Sequence, residues 1–227
     1  MKPRPSPNIW HTPGLYELEN RAADPHGRIE AAMREVADWS GRAFLDIGCG
    51  TGFHLPLWAA SAASVVGVEP YAPLVPLARR RTKKLANVKV VKGMAESLPL
   101  ADASVDVAHA RWAYFFGPGS EPGLRELDRV VRRGGTAFVI DNDPTRSTFG
   151  RWFARGYPMV DPVAVERFWS THGWERRRID MDWSFESRSD LESVVRIELP
   201  PEAAEEALSS HNGTAVDYAI NLWWRHF

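Results

Sequence analysis

The spacing of apolar and polar residues changes several times along this 227-residue chain, and each change marks an element. In residues 28–39, Ile29, Ala32, Met33, Val36 and Ala37 recur at helical intervals, predicting an amphipathic helix. A shorter helix is predicted just before it over residues 15–23, and Asp24-Pro25-His26-Gly27 breaks the two. Residues 1–13, with Pro3, Pro5, Pro7 and Pro13, predict a loosely held arm without regular structure. From Phe44 onward, short apolar runs at 42–47, 64–69, 87–92, 105–110 and 136–142 alternate with helical stretches at 73–84 and 120–132. Such alternation predicts parallel strands buried on both faces by helices. Gly134-Gly135 is read as the glycine cap that ends the helix at 120–132.

Beyond Asp143 the period falls to two in two places. Ile179, Met181, Trp183 and Phe185 alternate with polar residues, and so do Val216, Tyr218, Ile220, Leu222 and Trp224. Two half-buried antiparallel strands are expected there, joined by helices at 190–198 and 201–209. Asp161-Pro162 starts a further helix well, and Gly173 ends it. Residues 149–157 are rich in Trp, Phe and Arg and precede that helix. The fold class is therefore α/β, a doubly wound and mostly parallel seven-stranded sheet with an antiparallel C-terminal pair.

Length and composition narrow this further. A chain of this size fits one domain, with 1–40 as N-terminal arm and lid helices, 41–143 as the ligand-binding core and 144–227 as substrate-side structure. One cysteine permits no disulfide framework, and Cys49 fits the glycine turn by its size. No apolar run approaches a membrane span, and the N-terminus lacks a signal peptide's apolar stretch, so a cytoplasmic protein is expected. A net charge of −1 argues against a nucleic-acid partner, and the arginine triplets 79–81 and 176–178 read as solvated faces. Ten tryptophans, six of them from Trp152 onward, suit an aromatic small molecule without requiring one.

The chemistry centres on Phe44-Leu45-Asp46-Ile47-Gly48-Cys49-Gly50-Thr51-Gly52-Phe53-His54. A strand, three alternate glycines and a helix start bring free backbone N–H groups close to a ligand. A dinucleotide fingerprint would place its third glycine one residue later, where Phe53 stands. Asp46 would also repel a pyrophosphate, whereas an ammonium or sulfonium would welcome it. This turn resembles the first motif of the class I S-adenosylmethionine (SAM) dependent methyltransferases, Asp-x-Gly-x-Gly-x-Gly. The resemblance covers residues 43–143 well, and it implies the seven-stranded fold, SAM as cofactor and methyl transfer.

Residue by residue, the resemblance assigns Asp46, Gly48, Gly50, Gly52, Glu69, Pro70, Ala95, Glu96 and Ala110 to the cofactor. Glu69 ends the second strand, where a carboxylate can accept from ribose hydroxyls. Met94 stands where many members carry the aspartate that accepts from the adenine amino group, so only the loop backbone is carried over there. The exit of the fourth strand lies beside the methyl group in this family, which makes Arg111, Trp112, Tyr114 and Phe115, with Tyr16 from the first helix, the substrate candidates. His109, His11 and Asp141 are candidate bases, though each reads more readily as structural than as catalytic. Asp141-Asn142 matches only half of the metal-dependent catechol methyltransferase pattern, so no metal is expected. Two functions fit: methyl transfer to a small, possibly aromatic acceptor, or binding of SAM or its product without transfer in a regulatory or partner subunit. Oligomeric state is not legible.

Overall fold

The computed structural model describes residues 7–227. Its centre is a seven-stranded sheet in the order β3-β2-β1-β4-β5-β7-β6. The strands are β1 (Ala43–Ile47), β2 (Ser64–Glu69), β3 (Val88–Lys92), β4 (Val105–Arg111), β5 (Val131–Asn142), β6 (Glu175–Ser184) and β7 (Ala215–His226). The first five pair in parallel, while β7 runs antiparallel to both β5 and β6. Strand order reverses between β1 and β4, where the carboxyl ends of a doubly wound sheet leave a crevice.

Helices cover both faces. They are α1 (Pro7–His11), α2 (Pro13–Ala22), α3 (Arg28–Val36), α4 (Leu55–Ala59), α5 (Val75–Thr82), α6 (Glu121–Val130), α7 (Thr148–Gly156), α8 (Pro162–Thr171), α9 (Arg188–Glu198) and α10 (Pro201–Ser210). One apolar layer gathers Met33, Trp39, Phe44, Trp58, Trp183 and Val195, and the other gathers Leu45, Val68, Leu127, Val139, Trp169 and Trp223. Asp161 caps α8 by accepting from the amides of Val163 at 2.9 Å and Ala164 at 3.2 Å, as the Asp-Pro start predicts.

Several expectations are corrected. The proline-rich arm is helical from Pro7: α1 and α2 each start with a proline, a position where the missing N–H costs no helix bond. Residues 1–6 lie outside the described part of the chain. Helix α6 ends in the extended backbone of Val131, and Gly134-Gly135 belong to β5 rather than to a cap. A register shift between β4 and β5 at Val105 and Val107 absorbs the extra residues. The aromatic segment after β5 forms α7, with the Ser147 hydroxyl accepting from the Gly150 amide at 3.0 Å. β7 is not half-buried: lying between β5 and β6, it is buried on both faces from Tyr218 to Trp223. Of the six C-terminal tryptophans, Trp152, Trp169, Trp174, Trp183 and Trp223 are core residues, so most of the enrichment is spent on packing.

Candidate functional site

The glycine turn closes β1 at the strand-order reversal. Gly48 and Gly50 both take the left-handed backbone, at φ 75° and 56°, which a side chain would resist. They also lack room for one: a β-carbon on Gly48 would lie 2.4 Å from that of Ala113, and one on Gly50 would lie 2.6 Å from Ile9 Cδ1. The turn is thus pressed between the β4 exit and α1. It lines a cavity of about 820 Å³ running over the carboxyl ends of the strands.

Glu69 sits on the cavity wall and orders it. Its Oε2 accepts from the Gly50 amide at 2.9 Å and its Oε1 from the Tyr71 amide at 2.8 Å. Burial raises its pKa, against the pull of those two amides. Pro70, Gly93, Met94, Ala95 and Glu96 continue the wall, and Trp10 stacks on Tyr71 at 4.3 Å between ring centroids beside them. A flat, polar-edged group such as a nucleoside fits a wall of this composition.

Not every cofactor assignment lies on this cavity. Gly48, Gly50, Glu69, Pro70, Ala95 and Glu96 do. Gly52 packs against Ala78 of α5, and Ala110 is buried within the sheet. Asp46 is turned away: its Oδ1 meets His109 Nδ1 at 2.8 Å, directly across the β1–β4 register. That buried pair lines a much smaller cleft of about 30 Å³, shared with His54 and Arg111. His109 is 1% exposed, pinned by Asp46 and by the Trp58 ring 4.9 Å away, so it does not face the main cavity. Cys49 is buried, and burial pushes its thiol pKa up, in keeping with a packing role.

The substrate candidates divide in the same way. Tyr16, Arg111, Trp112 and Tyr114 line the cavity. Phe115 is core, and the half-exposed Phe116 takes the wall position instead. The β4 exit is strained, with φ of 48° at Trp112 and 58° at Tyr114, the kind of backbone that persists where surrounding contacts over-determine it. His11 is exposed at the end of α1 and does not line the cavity. Asp141 does line it, accepting from Asn221 Nδ2 at 3.0 Å and Trp223 Nε1 at 3.2 Å; burial pushes its pKa up to about 7 against those bonds.

The arginine triplets are engaged rather than merely solvated. Arg81 binds Glu17 at 2.7 Å, Arg177 binds Glu35 at 2.6 Å, and Arg178, on the cavity wall, binds Asp143 at 3.0 Å. Among the described residues, no helix is long and apolar enough to cross a membrane.

Sequence reasoning missed a group of side chains on the same cavity. Asn8 of α1, Glu19 of α2, Glu198 at the end of α9 and Tyr218 of β7 meet Arg111 and Tyr16 there. One signal for Glu19 exists: it lies one helical turn from Tyr16 and Ala22, so α2 carries a carboxylate in its inward stripe. Glu198 carries no comparable signal, because only the tertiary fold brings the end of α9 to α2.

Residues 45–139 match the methyltransferase domain family model. The demethylmenaquinone methyltransferase of Staphylococcus aureus is 27% identical over 140 residues, which are 60% of this chain and 58% of that protein. The chain thus spans less than two thirds of the curated relatives it matches. The YcgJ protein from Bacillus subtilis superposes with a TM-score of 0.63 at 19% identity, covering 88% of this chain and 97% of that one. A SAM-dependent methyltransferase from Aquifex aeolicus superposes with a TM-score of 0.59 at 18% identity, covering 93% and 97%. The domain match and the 3-2-1-4-5-7-6 sheet agree: residues 45–139 are similar to a methyltransferase domain, and the chain has the fold of the SAM-dependent methyltransferase from Aquifex aeolicus.

Proposed function

We propose that this protein is an enzyme that binds SAM along the Gly48–Glu69–Ala95 wall and transfers its methyl group to a small-molecule acceptor held by the aromatic side of the cavity. The observation that carries the reading is the Gly50–Glu69 bond across the mouth of the turn: it locks the glycine backbone and presents a carboxylate edge at one place. Each Glu69 oxygen keeps a second lone pair for ribose hydroxyls. The Gly93–Glu96 loop would flank the adenine, with Met94 on the ring face and no side-chain acceptor for its amino group. SAM supplies an already activated methyl, so the protein's work is to align an acceptor with it and keep water out. Trp112, Tyr114 and Phe116 from the β4 exit, and Tyr16 from α2, would do both. The relative's name, demethylmenaquinone methyltransferase, supports an acceptor with aromatic character, and the mostly apolar wall agrees with it.

A protein that holds SAM or its product without transfer would need the same wall but no acceptor groups. The polar cluster on the same cavity favours the enzyme. Differential thermal unfolding tests the cofactor reading: S-adenosylhomocysteine (SAH) should raise the melting midpoint and NAD should not. Equal shifts with both ligands, or none with either, overturn it.

A further inference from the structure

We propose that Glu19 and Glu198 form a proton-accepting pair which, with Arg111 beside it, makes this a site for acceptors carrying a weakly acidic hydroxyl, a phenol or an enol. The inference rests on the cofactor reading above, since it concerns the acceptor end of the same cavity.

The pair is built by two distant elements, α2 and α9, which pack on each other. Glu19 is 5% exposed, and among the described residues its Oε2 has no hydrogen-bond partner although Glu19 lines the cavity. Asn8 donates to Glu198 Oε1 and fixes that carboxyl from α1. Glu19 is buried and Glu198 half-buried, and two carboxyls in this contact cannot both ionise cheaply, so they hold one proton between them. Burial, then mutual repulsion, raises Glu19, and burial pushes Glu198 up to about 7. The pair can therefore take or release a proton near neutrality, the range a general base needs.

Arg111 decides which acceptor the pair serves. Its side chain lies over the Trp112 ring, 4.3 Å from the centroid, and Nη1 approaches His54 Nε2 at 3.2 Å. Its Nε and Nη2 are buried with no partner among the described residues. An unpartnered buried guanidinium is costly unless a ligand completes it. The cluster sums to one negative charge on the carboxyl pair and one positive charge on Arg111, so it offers no net attraction for an ammonium. A neutral hydroxyl suits it, because deprotonation leaves an oxyanion for the free N–H groups and puts the proton on the carboxyl pair. In the balanced step the acceptor O–H breaks and its proton goes to the singly protonated pair. The oxygen, or the ring carbon made nucleophilic by it, forms the bond to the methyl carbon. With SAM bound, the C–S electron pair would return to sulfur, which would leave as a neutral thioether. The remaining groups facing the pair are Tyr16 from α2, Tyr218 from β7 and Tyr157 following α7, with Glu69 near Tyr16. Burial raises all three tyrosines, so they stay protonated and can donate but not act as bases at neutral pH.

The test uses the full chain saturated with SAH and a chromogenic probe, 4-nitrophenol, with 1-naphthol and benzylamine as companions. The expected result is that bound 4-nitrophenol shows its phenolate band at least one pH unit below the free phenol. Calorimetry in buffers of different ionisation enthalpy should find less than half a proton released, because the pair has taken it. The Glu19→Gln/Glu198→Gln double variant should release that proton to buffer or lose the band, and Arg111→Met should lose the band while Arg111→Lys keeps part of it. Tighter binding of benzylamine than of either phenol, or binding of neither phenol by protein that does bind SAH, overturns the proposal and leaves the cofactor reading standing. A double variant that keeps the phenolate band and releases no more proton than the parent overturns it as well. Failure of the parent protein to bind SAH would instead count against the cofactor reading.

Discussion

The two ends of the cavity are made by different means. At the glycine turn the wall is backbone: Gly48 and Gly50 follow directly on β1, the Gly48 amide donates to the Val68 carbonyl and the Gly50 amide to the Glu69 carboxylate. Elsewhere on the cavity the wall is side chains, contributed by α1, α2, the β4 exit, α9 and β7. A backbone site is fixed by local sequence and tolerates almost no added atom. A side-chain site is fixed by tertiary assembly and can change its chemistry without disturbing the fold. This contrast explains why one ligand reads clearly and the other needs the structure.

The largest expected effect comes from joining the two ends by force. Gly48→Ala places a β-carbon 2.4 Å from that of Ala113, and at a φ of 75° the new residue is strained even without the clash. Left-handed backbone costs about 1–2 kcal/mol for a residue with a β-carbon, and overpacking adds about 1–3 kcal/mol. The melting midpoint should fall by several degrees and the response to SAH should vanish. An alanine variant that melts like the parent and still responds to SAH would mean the turn is not clamped against the β4 exit. Glu69→Ala should act only at the backbone end. It removes the carboxylate edge and frees the amides of Gly50 and Tyr71, so titration calorimetry should show SAH affinity weakened by about 1–3 kcal/mol, the scale for bonds to a charged group.

What sequence reveals follows the same division. The seven strands, their directions and the position of Glu69 at the end of β2 were legible because periodicity and glycine spacing are local signals. That Asp46 lies off the main cavity was not legible, because its partner, His109, lies across the sheet and only the register brings the two side chains together. Gly134-Gly135 looked like a cap because glycine serves both helix ends and strand irregularities, and a register shift won. The Glu19–Glu198 pair was invisible, since 178 further residues of chain, nearly the whole fold, must be placed before α9 reaches α2.

Removing residues 1–11 sharpens the role of α1, which touches both ends. Ile9 presses on Gly50, Trp10 stacks on Tyr71, and Asn8 holds Glu198. A lid predicts at least tenfold weaker SAH binding with little change in the free protein's melting point. A staple predicts a drop of several degrees in the free protein, as about a kcal/mol of lost packing would give. With contacts at both ends, we expect both changes; a truncated chain with unaltered affinity and stability would show that α1 does neither.

Acidity distinguishes the ends next. Glu19, Glu198 and Asp141 have folded pKa values raised by burial, the latter two to about 7. The folded state therefore holds extra protons between the ordinary carboxylate range and about pH 7, and stability from these groups is present at low pH and lost as pH rises through 7. The free protein's melting point should accordingly increase from pH 8 to pH 6. Further acidification should reverse the trend once Glu17 and Asp106, held low by Arg81 and by the Ala43 amide and Arg132 against burial, take up protons. Glu198→Gln should flatten the rise between pH 8 and 6, and a flat profile in the parent would mean these carboxyls are not proton-loaded.

The smallest expected effect tests the backbone end by adding to it. Met94 lines the cavity between Gly93 and Ala95, at the place where the family resemblance puts an aspartate for the adenine amino group. With a thioether there, the adenine edge finds no side-chain acceptor, and recognition falls to the loop backbone and ring packing. Met94→Asp should then tighten SAH by about 0.5–1.5 kcal/mol, the net worth of one hydrogen bond. Part of that gain is offset by lost packing and by a carboxylate added near Glu69 and Glu96, so the low end of the range is expected. The same variant should leave an inosine-based analogue of SAH, whose purine carries an oxygen in place of the amino group, bound more weakly than by the parent. Opposite responses to the two nucleosides would fix the adenine edge at residue 94. Equal responses would place the base elsewhere on the wall, and the order of ligand groups along the cavity would have to be redrawn from Glu69 outward.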